Sequence, residues 1–148
     1  MRLPDSIQIL LRVRCQREEV EERKLAAIVE ELKIAQAEVA KLSGELGCIT
    51  TTRLSEIQCI LPNTQHQAVE IHSRSLWRQR ADQIAKIEGL REAQAQQMSA
   101  YLSAHREREV MESLNNRRVD VLAIERRLRE QKLNEDLFLA RRVAKWDT

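Results

Sequence analysis

The chain has 148 residues, a net charge of +2, 32% charged and 3% aromatic side chains, three glycines and two prolines. Interleaved acids and bases speak against a dedicated nucleic-acid binder, which carries a basic face or stripe. The shortage of turn-forming residues speaks against a compact fold of many short elements. Apolar runs such as residues 25–29 fall far short of the roughly 20 residues that span a bilayer. The start, MRLPDSIQILLRVR, places Pro4 and Asp5 before a short apolar run and reads as no secretory signal, so a cytoplasmic protein is expected.

The first element is a helix of about residues 5–61. In "PDSIQ", Asp5 is the expected N-cap with Gln8 three residues on, a reciprocal arrangement that satisfies two orphan amides. Leu25, Ile28, Leu32, Ala35, Val39, Leu42 and Leu46 alternate by three and four, the spacing of a coiled-coil seam. Upstream, RVRCQREEVEERK reads as a weaker seam, with Leu11, Val20 and several charges. Gly44, Gly47 and the run TTT lower helix propensity, so a kink or break is expected between 47 and 52. Pro62 disfavours helix at the residue before it, and a turn is expected at about 62–64.

The second element is a helix of about residues 65–145, capped by Thr64 with Gln67 three residues on. Its seam reads as Leu76, Ile87, Leu90, Tyr101, Leu114, Val121, Ile124 and Leu128, interrupted by Gln94, Gln97 and Asn115. His105, in SAHRERE, reads as part of a solvated face. The expected fold is one all-α domain, 1–148: an elongated antiparallel two-helix coiled-coil hairpin with an unpaired C-terminal helical extension. With the turn near 63, facing residue numbers sum to roughly 126, and residues 122–148 lack a partner within the chain. That overhang includes IERRLREQKLNEDLFLARR, ten charges in nineteen residues with Ile124, Leu128, Leu133, Leu137 and Ala140 recurring at steps of three to five. An isolated helix of this length is only marginally stable in water, so a partner is expected.

No motif for catalysis is present: no phosphate-cradling glycine loop, nucleophile elbow or metal-binding His–Glu pattern. A hairpin of two helices also lacks a concave interior, so no enzyme activity, small-molecule substrate or cofactor is expected. Cys15, Cys48 and Cys59 read as reduced thiols. Cys48, Cys59, His66 and His72 could be assembled into a zinc set, but the ten residues between the cysteines lack the tight pair such sites use. Arg117, Arg118, Arg126, Arg127, Arg129, Arg141 and Arg142 lie among acids that can pair with them at helical spacing, which leaves phosphate binding the weaker reading.

The stretch AHREREVMESLNNRR followed by RRLREQKLNEDLFLARR resembles the flagellar FliJ family of type III export proteins. Glu130, Gln131 and Lys132 match the family's E-Q-K core, with Arg126, Arg127 and Leu128 at the preceding positions; Asn134, Glu135 and Asp136 shift the usual leucine-then-acidic order by one. The resemblance covers about residues 105–142. It implies a stalk-like coiled coil that binds the hexameric export ATPase, engages the cytoplasmic part of the export gate and escorts substrate chaperones. The chain would then be cytoplasmic and peripherally associated with the inner membrane through the export apparatus. On this reading Arg126, Arg127, Leu128, Glu130, Gln131, Lys132, Leu133, Asp136 and Leu137 meet the ATPase ring. Near the turn, Leu54, Ile57, Ile60, Leu61, Leu76 and Trp77 form a second candidate surface, for the gate or chaperones, or else the tip's own small core. The alternatives are the analogous stalk of a virulence injectisome, a scaffolding coiled coil that self-associates through its tail, and a nucleic-acid-binding helical arm.

Overall fold

The computed structural model describes residues 6–56 and 63–147. They form two α-helices packed against each other, α1 (Ser6–Glu56) and α2 (Asn63–Trp146), with no strand among the described residues. The expected all-α hairpin is therefore observed. No helix among the described residues is long and apolar enough to cross a membrane. The Asp5 cap and the end of the first helix at 57–61 lie outside the described residues. Thr64 falls in the first turn of α2, because the helix begins one residue earlier, at Asn63.

The expected break at 47–52 does not occur. Helix α1 runs uninterrupted through both glycines and all three threonines. Each threonine hydroxyl donates to the carbonyl four residues back: Thr50 to Leu46 at 2.9 Å, Thr51 to Gly47 at 2.9 Å and Thr52 to Cys48 at 2.8 Å. Those bonds give the hydroxyls partners inside the helix, but back-bonding of this kind slightly weakens a helix, so the continuity has another cause. Tertiary packing supplies it, since Leu46 is buried and Ile49 packs beside it.

Contacts divide the chain into two units. In the unit Glu19–Leu102, the α1 face is the predicted heptad: Leu25, Ile28, Leu32, Ala35, Val39, Leu42 and Leu46 are all buried or half-buried. Opposite them, α2 presents Leu76, Arg80, Gln83, Ile87, Leu90, Gln94, Gln97 and Tyr101, again at alternating steps of three and four. Leu42, Leu46 and Leu76 form the core cluster. Burying a leucine contributes about 1.5–3 kcal/mol relative to leaving it exposed, so these few side chains carry much of the pairing. Two of the polar seam positions are bonded across the pair: Gln97 donates from Nε2 to the Glu21 carbonyl at 3.1 Å and also to its carboxylate. Arg80 Nε donates to Ser43 Oγ at 3.1 Å.

In the unit Met1–Glu18 with Ser103–Thr148, the seam is mostly ionic. Arg14 pairs with Glu107, and Glu18 bonds both His105 and Arg108, around the buried Ala104. The charges of the weak upstream heptad thus face opposite charges on α2, while Val20, read as a seam residue, is exposed. Facing residues across both units have numbers summing to between 118 and 126, the upper limit being the expected value. Cover by α1 accordingly ends earlier than expected. Asn115 is the last half-buried residue of α2, and every described residue after it, 116–147, is exposed.

Candidate functional site

Two places stand out in the unit that holds the C-terminal half of α2: the charged layer around Glu18 and the uncovered segment beyond Asn115. His105 is not on a solvated face. It is half-buried, with Nδ1 2.7 Å from Glu18 Oε1 and Nε2 3.1 Å from Glu109 Oε1. Arg108 bridges Glu18 and Glu112, the latter at 2.5 Å. The hydrogen bond to Glu18 raises the His105 pKa above its ordinary 6.5; partial burial and the Arg108 charge oppose that rise, and the nearby carboxylates support it. The same bond, with help from Arg108, lowers the Glu18 pKa below its ordinary 4.5.

These directions fix a pH window. A raised histidine pKa stabilises the fold below pH 6.5 and loses that contribution as pH rises through the folded value. A lowered carboxylate pKa stabilises above pH 4.5 and is lost as pH falls through the folded value. The pair therefore contributes most between the two. We predict that raising the pH from 6 to 8.5 lowers the thermal midpoint of the native chain more than that of His105→Gln. Identical shifts in both proteins would contradict the assignment.

The uncovered segment carries all nine residues expected at the ATPase ring, and every one is exposed. They do not share one side of the helix. At about 100° per residue, the five-residue step from Leu128 to Leu133 turns the chain by about 140°. The stripe read from Ile124 through Leu137 is therefore two stripes. Val119, Leu122, Leu133, Leu137 and Ala140 continue the side of α2 on which α1 packs further up. Val121, Ile124, Leu128, Leu139, Val143 and Trp146 lie on the other side. All of the large apolar members are between 49% and 81% exposed, Trp146 the most. Arg126 sits within the first stripe and Glu130 at its edge, Lys132 and Glu135 sit within the second, and Gln131 donates to Glu135 at 3.0 Å.

The tip residues separate. Leu76 is 4% exposed, inside the core cluster, so it holds the helices together and presents no docking surface. Trp77 is exposed, with the Arg80 guanidinium 5.5 Å from its ring centroid, a cation–π contact. The side chains of Leu54, Ile57, Ile60 and Leu61 lie outside the described residues. Of the atoms considered for zinc, Cys48, His66 and His72 are exposed and Cys59 lies outside the description; no group of three metal-capable side chains occurs among the described residues.

Sequence reasoning missed Val119, Leu122, Leu139, Val143 and Trp146. The signal was available: Val121 and Leu139, like Leu128 and Trp146, are 18 residues apart, five turns at 3.6 residues per turn.

The fold and this surface define a helical hairpin with one strand of the pair extended into an uncovered, two-sided amphipathic helix. Comparison with protein families, curated proteins and solved structures finds no match to the chain.

Proposed function

We propose that the chain is a non-enzymatic stalk of a flagellar type III export apparatus, binding the hexameric export ATPase through α2 beyond Asn115 and escorting substrate chaperones to the export gate. The observation that carries this reading is the two-sidedness of the uncovered helix. A helix with apolar residues on two sides about 140° apart, counted at about 100° per residue, needs partner surface on both. The lumen of a ring provides that, whereas a flat partner covers one side only. The Glu130–Gln131–Lys132 core on this segment, at the positions where it resembles the FliJ family, supports the same assignment. Its charges would face polar loops of the ring while Leu128, Leu133 and Leu137 supply desolvated contact. Trp77 remains the exposed anchor for a gate or chaperone contact. Attachment to the inner membrane would run through the apparatus, since neither described helix can span it.

The test is a pull-down combined with a hydrolysis assay, using the export ATPase from the same genome. The full chain should bind, promote hexamers and raise turnover, and truncation after Asn115 should abolish all three. Absence of binding at physiological salt would overturn the assignment.

A further inference from the structure

The stripe of α2 that faces away from α1 has an internal symmetry that the ring reading does not use. Its six members form three pairs, Val121 with Trp146, Ile124 with Val143 and Leu128 with Leu139, each centred on the same point between Leu133 and Asn134. Lys132 and Glu135 are centred there too, and so are Glu125 and Arg142. All six apolar members lie within about 50° of one line along the helix at about 100° per residue, with Lys132 and Glu135 near its middle.

A second copy of the same segment, laid antiparallel, would meet this stripe apolar against apolar at both ends. At the centre, Lys132 would face Glu135 of the second copy, twice over, while Glu125 comes level with Arg142. Flanking charges of this kind set partner choice and orientation between paired helices. The register also fits the space available. It uses residues 121–146, all exposed, and stops short of Asn115, where cover by α1 begins, so neither hairpin has to open.

From this charge and apolar complementarity we propose that the chain self-associates as an antiparallel dimer through the outward stripe of α2. The dimer hides Leu128 and Leu139, so a paired chain cannot present that side to another partner. Self-association does not depend on the export reading, and it can stand or fall alone.

Sedimentation equilibrium of the full chain, with its cysteines kept reduced, tests the proposal. The native chain should show a concentration-dependent monomer–dimer equilibrium, and Leu139→Asp should abolish it. Lys132→Glu and Glu135→Lys should each weaken association by about tenfold or more, because each places like charges opposite one another at both central contacts. An equimolar mixture of those two variants should associate again, since each charge then meets its opposite in the mixed dimer. Mixing leaves contacts within each chain unchanged, so recovery reports pairing between chains in this register. A monomeric native chain at high micromolar concentration would overturn the proposal. So would single variants that associate normally, or a mixture no better than its components.

Discussion

Leu128→Asp should eliminate binding to the ATPase ring and leave the folded hairpin as stable as before. Leu128 is 53% exposed and lies thirteen positions past Asn115, the last residue that α1 covers. A substitution at such a site normally changes stability by no more than about 0.5 kcal/mol. Its effect on a partner is different in kind. A carboxylate forced into a desolvated contact either stays charged and unpaired or takes up a proton, and both options are costly. Interface positions buried at the centre of a contact commonly cost about 2 kcal/mol or more when altered, which is roughly thirtyfold in affinity. The pull-down should therefore fail while the urea midpoint of dilute protein is unchanged. A falling midpoint would mean that the segment packs inside its own chain.

The reverse pattern is expected for Leu42→Ala. Leu42 is 3% exposed and packs in the cluster with Leu46 and Leu76. Buried leucine-to-alanine changes cost about 2–5 kcal/mol, combining lost transfer energy with the cavity left behind. Small domains have about 5–15 kcal/mol in total, so this one change consumes a large part of the hairpin's stability. Urea unfolding followed by circular dichroism should show the midpoint falling steeply. Ile34→Ala, about two turns away but 61% exposed, is the control and should move it little. Equal effects from the two would mean that the seam is set on the wrong side of α1.

The apolar heptad of α1 was legible because leucine, isoleucine, valine and one alanine, Ala35, occupy it without a polar interruption from Leu25 to Leu46. Where the seam turns ionic it could not be read, since Arg14, Glu18 and Glu21 look like any solvated charge until Glu107, His105, Arg108 and Gln97 are placed across from them. Partners about 76 to 93 residues away in the chain leave no local trace. The glycines and threonines at 44–52 misled for a related reason. Propensity is a local quantity, and burial of Leu46 with Ile49 packed beside it outweighs it. On α2 the error was one of period. Steps of three, four and five were accepted as one stripe, although a step of five crosses the helix. The thirteen residues from Tyr101 to Leu114 cross it as well, which puts Leu114, Val121, Ile124 and Leu128 off the seam, whose actual course is Ala104, Arg108, Met111 and Asn115. The uncovered end itself was foreseen from the arithmetic of a hairpin with unequal arms, and starts six residues sooner than that arithmetic gave.

The account rests on residues 116–147 being an exposed helix that α1 does not cover. Hydrogen exchange on dilute protein, below the concentration at which copies pair, tests this most directly. Isolated helices of this length open readily, whereas amides under a packed seam exchange only through larger openings. Amides of 116–147 should exchange much faster than those of 21–49 and 76–104. Protection of 116–147 equal to that of the seam, in dilute protein, would contradict the account.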